Sequence, residues 1–163
     1  MGTAIEDVSE RVTIRPARAG DVPVIVALLA QDDLGAQRET VTDPLPHAYH
    51  AAFAEIDRDP AHLLVVAEAA GRIVGTLQVS FLPYLTYTGG SRAHVEAVRV
   101  AQDARGSGLG RTLVTWAIDE ARRRNAHVVQ LTTDARRGEA QRFYESLGFE
   151  PSHVGMKLHL ERR

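Results

Sequence analysis

Cysteine is absent from this chain of 163 residues. Its absence excludes disulfides, thiolate metal sites and a cysteine nucleophile. Long apolar runs are missing as well, because the longest one, residues 22–30, contains a proline and is too short to cross a bilayer. No apolar segment follows a basic N-terminal start, so the sequence predicts no signal peptide, no membrane partner and a cytoplasmic location.

A strong net charge is missing too. Lys and Arg number 19 and Asp and Glu 21, which leaves a formal net charge of -2 and gives no reason to expect nucleic acid as a partner. The histidines are scattered without metal-ligand spacing, so no metal site is predicted. With 44% hydrophobic and 25% charged residues, the composition is that of one globular domain, 1–163, in which residues 1–10 are expected to be loosely ordered.

The most informative stretch is a glycine-rich run, residues 105–111. Gly106, Gly108 and Gly110 stand at every second position, just where a helix predicted over 109–124 begins. Glycines allow a ligand to approach the backbone closely, and the N-terminus of a helix favours an anion. The run therefore predicts a cradle of backbone N–H groups for a phosphate or pyrophosphate.

Other phosphate-binding signatures fit this run less well. A Walker loop needs Gly-Lys-Ser/Thr, whereas Gly110 is followed here by Arg111 and Thr112. The dinucleotide fingerprint of oxidoreductases has another glycine spacing, and only 29 residues follow Asp134, its candidate ribose ligand, too few to complete a doubly wound sheet. A glycine-rich helix cap without a ligand is the structural alternative.

The spacing Arg-x-x-Gly-x-Gly after a Val-x-Val strand resembles the acyl-CoA signature of the GNAT superfamily of N-acetyltransferases. Residues 140–149, AQRFYESLGF, resemble that family's A-x-x-F-Y-x-x-x-G-F segment. Residues 12–17, VTIRPA, followed by Asp21, resemble its first strand and helix cap. The resemblance covers nearly the whole chain, with one departure: Arg137 stands where the family often carries an Asn that contacts the pantetheine arm.

This resemblance implies acetyl-CoA as co-substrate, with no metal. The pantetheine arm is expected to pair with the backbone of the strand before the cradle, and the pyrophosphate to bind the cradle itself. The implied cofactor-binding residues are Val98, Arg99, Val100, Arg105, Gly106, Ser107, Gly108, Leu109, Gly110 and Arg111.

The order of predicted elements is β-α-α-β-β-β-α-β-α-β. Strands are predicted over 12–15, 62–68, 72–81, 95–100, 128–133 and 156–160, and helices from Asp21 onward and over 47–58, 109–124 and 139–147. This is an α/β pattern. By the resemblance, the fold is GNAT-like: a central, mixed but mostly antiparallel twisted sheet, flanked by helices and splayed at the cofactor-binding strand.

Acyl transfer needs an acid, a base and a donor for the oxyanion. The resemblance implies Tyr144 as the proton donor to the leaving thiolate, since a phenol donates at neutral pH. Glu96 is the candidate base, because alternation along a strand places it on the same face as Val98, and His94 is the second candidate. The backbone N–H of Val98 is the candidate oxyanion donor.

The acceptor amine is the least defined part of the prediction. The segments 32–46 and 83–92 are expected to bind it, with the carboxylates of Asp32, Asp33, Glu39 and Asp43 and the rings of Tyr84 and Tyr87 as candidates. A small-molecule amine is favoured. A protein N-terminus or lysine as acceptor, and a non-catalytic acyl-CoA sensor, are the alternatives; homodimerisation is left open.

Overall fold

Five strands form a single sheet in the computed structural model, which describes residues 12–160. The prediction for residues 1–10 lies outside the described residues. The strands are β1 (Thr13–Pro16), β2 (His62–Ala69), β3 (Arg72–Pro83), β4 (Ser91–Val100) and β5 (Val128–Leu131). The helices are α1 (Val22–Leu29), α2 (Asp33–Ala36), α3 (His47–Arg58), the single turn α4 (Thr86–Gly89), α5 (Leu109–Arg123) and α6 (Gly138–Glu145).

The sheet follows chain order, β1-β2-β3-β4-β5. Neighbouring strands are antiparallel except for β4 and β5, which are parallel because α5 crosses over between them. The predicted fold class, an α/β fold with a mixed and mostly antiparallel sheet flanked by helices, is therefore confirmed. Within residues 12–160, no helix is both long and apolar enough to span a membrane.

Each face of the sheet has its own apolar core. Helix α5 covers one face, where Leu77, Val79 and Val95 of the sheet pack with Leu113 and Val114 of the helix. Helices α1 and α3 cover the other face through a second cluster, which consists of Ala17, Val22, Ile25, Val26, Phe53 and Val66. The two faces are called here the α5 face and the α1/α3 face.

The ladder between β4 and β5 is short. It joins Arg92–Val95 to Val128–Leu131 and then stops, although β4 continues to Val100. Beyond Val95, no described strand pairs with β4 on the β5 side. The two strands separate there, as expected for the cofactor-binding strand. The edge of β4 beyond Val95 is therefore open and offers N–H and C=O groups to a ligand.

A β-bulge interrupts β4. Thr76 pairs with Arg99 and Gln78 pairs with Glu96, so two residues of β4 lie opposite Leu77 alone. Ala97, inside the bulge, has a φ of 54°. Such a left-handed backbone costs about 1–2 kcal/mol for a residue with a Cβ.

The bulge reverses the alternation that the sequence predicted. Because paired residues share a face, Glu96 and Arg99 lie on the α1/α3 face with Gln78 and Thr76. Val98 and Val100 pack into the core of the α5 face. The expectation that Glu96 shares a face with Val98 is therefore wrong, since one extra residue shifts the period-2 pattern.

The strand predicted over 156–160 is also wrong. Residues 150–160 form no strand or helix, and their large apolar side chains are exposed: Val154 (90%), Met156 (91%), Leu158 (86%) and Leu160 (80%). Their alternation is typical of a strand, but a strand also requires a neighbour for its N–H and C=O groups. No described strand of the same chain provides one.

Candidate active site

The glycine-rich run forms the turn that leads into α5. Gly106 and Gly108 have φ of 80° and 85°, and a Cβ built on either of them would meet no described atom within 4 Å. Glycine is therefore required there for backbone conformation, and the space above both residues is open. Gly110 lies inside α5, where a Cβ would make an ordinary contact with the ring of Phe143 at 3.5 Å, so packing against α6 does not require a glycine there.

The N–H groups of this turn have no internal partner. Among the described residues, no carbonyl or side chain accepts a hydrogen bond from the backbone N–H of residues 106–111, and the first N–H of the region to be bonded is that of Thr112. Gly108 is the N-cap of α5 and offers no side chain. Converging free N–H groups at the positive end of a 15-residue helix favour an anion.

The open edge of β4 leads directly into this turn. Two carbonyls of this edge accept hydrogen bonds from arginine side chains: Arg99 Nη1 donates to Val98 O at 2.9 Å, and Arg105 Nε donates to Val100 O at 3.4 Å. Each arginine thus bonds to a carbonyl close to its own position in the sequence. A ligand lying along the edge could displace them.

Tyr144 lies on α6 with its ring packed edge-on against those of Phe143 and Phe149, at centroid distances of 5.1 and 5.8 Å. Its hydroxyl makes no hydrogen bond to another described residue. Burial raises the pKa of Tyr144, the charges of Arg99 and Arg137 lower it in part, and Glu96 raises it; the net shift is upward. The phenol therefore keeps its proton at neutral pH, as an acid must.

The two candidate bases form one hydrogen-bonded pair. His94 Nε2 lies 2.8 Å from Glu96 Oε1, and Gln130 Nε2 lies 3.3 Å from His94 Nδ1. Because an ionised carboxylate only accepts, His94 Nε2 carries the proton and Nδ1 accepts from Gln130. Arg92 Nη1 in turn lies 3.4 Å from Gln130 Oε1, so the chain of hydrogen bonds runs from Arg92 to Glu96 along one face.

Asp32 links three separate parts of the fold. It caps α2 by accepting from the backbone N–H of Gly35 at 2.7 Å, accepts from Arg137 Nη2 at 2.8 Å, and lies 3.4 Å from Arg99 Nε. Burial alone would raise the pKa of Asp32, but the bonds from Gly35 and Arg137 and the charges of Arg99 and Arg137 outweigh it and hold this pKa below its usual value. Arg137 therefore pairs with Asp32.

Two buried donors on this face make no hydrogen bond, although Asp32 lies 3.4 Å from one of them, Arg99 Nε. Arg92 Nε and Arg99 Nε are the only buried side-chain polar atoms of residues 12–160 that make no hydrogen bond. Burial lowers the pKa of Arg99, which Asp32 partly restores and the charges of Arg137 and Arg38 lower further. The guanidinium groups of Arg99 and Arg137 thus share one carboxylate, with Arg38 as a further positive charge near Arg99. Sequence reasoning missed this excess of positive charge, because Arg38, Arg99 and Arg137 are far apart in the chain.

The other predicted acceptor residues are only partly brought together. The guanidinium of Arg92 lies over the rings of Tyr84 and Tyr87, 4.5 and 5.7 Å from their centroids. Glu39 accepts from the hydroxyl of Tyr49. Asp33 and Asp43 make no ion pair with a described residue, and residues 12–160 contain no group of three or more potential metal ligands.

Comparisons with known proteins agree with this geometry. Residues 29–149 match the family described as Acetyltransferase (GNAT) family. The chain is 28% identical to the aminoalkylphosphonate N-acetyltransferase of Salmonella typhimurium over 91% of both chains. It is 29% identical to the glucosamine 6-phosphate N-acetyltransferase of Trypanosoma brucei brucei, over 85% of this chain and 97% of the relative.

A solved structure shows the same fold at higher identity. The protein described as a transcriptional regulator from Bacillus halodurans C-125 is 51% identical, with a TM-score of 0.90 over 92% of this chain and 100% of that chain.

The glycine turn generates the first prediction. Gly108→Val places a branched side chain in the open space above the free N–H groups and strains a left-handed position. We expect the dissociation constant for coenzyme A, measured by calorimetry, to rise at least tenfold, about 1.4 kcal/mol. Gly71→Val is the matched control, since Gly71 also has a positive φ, 75°, and open space but lies in the β2–β3 turn. Equal affinities of the two variants would contradict the assignment of the turn.

Asp32 generates a prediction about pH. Because its pKa is lower in the folded than in the unfolded chain, its carboxylate stabilises the fold above the unfolded value, about 3.9, and this contribution is lost as the pH falls through the folded pKa. Asp32→Asn should therefore lower the free energy of unfolding near neutral pH, and the difference should shrink below about pH 4.

Denaturant titrations across this pH range provide the measurement. Asp33→Asn is the control, because Asp33 is exposed and makes no ion pair with a described residue. A difference between Asp32→Asn and the parent chain that does not change with pH would mean that the charge of Asp32 contributes nothing.

Proposed function

Because this chain belongs to the GNAT family and is an acetyl-CoA-dependent N-acetyltransferase, we propose that it acetylates a small primary amine bearing an oxyanionic group. The single observation that carries the proposal is that two buried guanidinium atoms, Arg92 Nε and Arg99 Nε, make no hydrogen bond on the face that also holds Glu96, although Asp32 forms an ion pair with Arg99. A buried cationic donor without an acceptor costs free energy, which an oxyanion of the acceptor recovers.

Two features support the acetyl-CoA side of the proposal. The free N–H groups of residues 106–111 suit the pyrophosphate, and the edge of β4 beyond Val95 suits the amides of the pantetheine arm. The thioester would then lie beside the bulge, between Val98 and Tyr144. The predicted cytoplasmic location remains a prediction.

The named relatives support the acceptor class. One is named for aminoalkylphosphonates and another for glucosamine 6-phosphate, and both of these acceptors combine an amine with a phosphorus oxyanion. These enzymatic relatives also weigh against a non-catalytic sensor. Acetylation of a protein N-terminus or lysine stays as the alternative, and peptides with such groups belong in the acceptor panel.

We assign the chemistry to the chain's own residues. Glu96, oriented by His94, accepts the proton of the incoming ammonium group through the carboxylate oxygen that His94 does not bind. The amine forms its bond to the carbonyl carbon while the backbone N–H of Val98, in the bulge where one residue lacks a ladder partner, donates to the oxyanion. The carbon–sulfur bond then breaks as Tyr144 protonates the departing thiolate, and the resulting phenolate takes the second proton from the attacking nitrogen, which leaves the neutral amide.

Direct attack in a ternary complex follows from the absence of cysteine, which removes the nucleophile that most readily exchanges with a thioester. Holding both substrates on β4 then supplies the rate enhancement through proximity. This arrangement places the acceptor on the α1/α3 face and the pantetheine arm at the edge of the same strand.

The acid assignment is tested by Tyr144→Phe. The substitution removes one hydroxyl that makes no described hydrogen bond and keeps the ring that packs on Phe143 and Phe149. We expect kcat to fall about 10- to 1000-fold, with KM for acetyl-CoA nearly unchanged. Thr115→Val is the control, because it removes an exposed hydroxyl from the middle of α5. An unchanged kcat for Tyr144→Phe would reduce Tyr144 to a packing residue.

The acceptor class is tested by thiol release from acetyl-CoA with matched amines, with and without a phosphate, phosphonate or carboxylate. We expect kcat/KM to be at least tenfold higher for the oxyanionic member of each pair, a difference of about 1.4 kcal/mol. Arg99→Gln should remove most of this preference while leaving KM for acetyl-CoA within about twofold.

Arg122→Gln is the control for that experiment, since Arg122 is an exposed arginine at the far end of α5. Equal rates with neutral amines would exclude the oxyanionic class. A rise in KM for acetyl-CoA alone would instead assign Arg99 to the cofactor.

A further inference from the structure

Four polar side chains follow one another along β4 on the α1/α3 face. Taken along the strand, the four are Arg92, His94, Glu96 and Arg99. Their partners are every second residue of β3 from Leu82 to Thr76, because the extra residue of the bulge brings Arg99 onto the face of Glu96. These four residues are called here the β4 row. The candidate base Glu96 thus lies between two arginines, one position from Arg99 and two positions from Arg92.

Arg92, at one end of the β4 row, has no acidic partner. It forms no ion pair with a described residue, and its Nε makes no hydrogen bond. Its terminal nitrogens make only long bonds to neutral oxygens, from Nη1 to Gln130 Oε1 at 3.4 Å and from Nη2 to Thr86 Oγ1 at 3.5 Å. Bonds from a guanidinium to an oxyanion are shorter, about 2.7–2.9 Å, and about twice as strong. Arg92 therefore has the capacity for a stronger acceptor than its present partners.

Two tyrosines hold the guanidinium of Arg92 by its flat face. Its central carbon lies 4.5 Å from the ring centroid of Tyr84 and 5.7 Å from that of Tyr87. The ring of Tyr87 in turn packs on that of His127 at a centroid distance of 4.7 Å. A guanidinium stacked in this way directs its N–H groups into its own plane, where a carboxylate or phosphate binds through two parallel bonds. The aromatic contacts thus orient Arg92 without using its donors.

The other charges around the β4 row do not cancel that of Arg92. Arg99 and Arg137 share the carboxylate of Asp32, which leaves positive charge in excess at the Arg99 end. In the proposed reaction, the ammonium group of the acceptor matches the negative charge of Glu96. At least one positive charge therefore remains at each end of the row.

The two ends of the β4 row are separate binding positions. Their partners Leu82 and Thr76 are six residues apart in β3, about 20 Å of strand at about 3.3 Å per residue. Contacts with Tyr84 hold Arg92 at one end, and the bond to Val98 O holds Arg99 at the other. A single carboxylate or phosphate therefore contacts one of the two arginines and leaves the other.

Resting on the proposed function, we propose that the acceptor carries two oxyanions, one on each side of its amine. Arg99 binds the oxyanion nearer to the amine, because it is the neighbour of Glu96 in the β4 row. Arg92 binds the second oxyanion, several bonds further away. The acceptor class is then an amino acid with an acidic side chain, a carboxylate or a phosphate. Fixing both ends of such a molecule also orients its amine at Glu96.

The test compares acceptors of equal size on the parent chain. Glutamate carries both acid groups, glutamine only the one near the amine, isoglutamine only the distant one, and glutamine amide neither. Aspartate with asparagine, and O-phosphoserine with serine, repeat the comparison at other lengths. Thiol release from acetyl-CoA gives kcat/KM for each. In at least one of the three pairs, we expect the doubly anionic member to react at least tenfold better, about 1.4 kcal/mol.

The panel separates this proposal from the proposed function. Equal kcat/KM within all three pairs, with glutamine still preferred over glutamine amide, would overturn the second oxyanion and leave the proposed function standing. Equal kcat/KM for every acceptor, including glutamine amide, would exclude both. No turnover of any doubly anionic amine would overturn the second oxyanion as well.

The role of Arg92 is tested in the pair that shows the preference. Arg92→Gln should bring the ratio of kcat/KM between the doubly and the singly anionic acceptor close to one, whereas Arg92→Lys, which keeps the charge, should retain part of the preference. A merely structural role would lower both rates equally and leave the ratio unchanged, which would overturn the assignment. Arg58→Gln is the matched control, because Arg58 also makes no ion pair with a described residue but is exposed in the last turn of α3. An equal loss of preference in Arg58→Gln would likewise contradict it.

Discussion

The bulge at Ala97 is the constraint on which the site depends. Without it, Glu96 and Arg99 would face opposite sides of the sheet, since they are three residues apart in a strand. With it, both lie on the α1/α3 face, while Val98 and Val100 stay in the core. The antiparallel ladder with β3 on both sides of the bulge offsets the conformational strain of the left-handed backbone at Ala97.

A second constraint is the early end of the ladder between β4 and β5. Because pairing stops at Val95 and Leu131, the part of β4 that carries the bulge keeps one free edge. The same part leads into the glycine turn, whose free N–H groups lie at the start of α5. The chain thus leaves polar backbone groups unsatisfied in one continuous line, which a long ligand with amides at one end and phosphates at the other can satisfy.

Ion pairs beside these unsatisfied backbone groups connect β4 to the start of α2 and to the start of α6. Asp32 connects the α1–α2 junction to β4 through Arg99 and to the start of α6 through Arg137. One carboxylate does not neutralise two guanidinium groups, and the Nε atoms of Arg92 and Arg99 make no hydrogen bond on the face that holds Glu96. In the proposed function, fold stability and acceptor recognition draw on the same residues, since removing a charge here would change both.

Local spacing let the sequence alone determine the glycine turn, the helix that follows it, the β2–β3 hairpin and the Tyr144 segment, because each depends on residues only a few positions apart. The face of Glu96 was predicted wrongly, since alanine in a strand pattern gives no sign of a bulge. The sequence did not predict the ion pair between Asp32 and Arg137, because these residues are 105 positions apart and only the tertiary structure brings them together. Alternation predicted a strand near residue 156, but a strand exists only beside a partner, and tertiary structure decides where that partner lies.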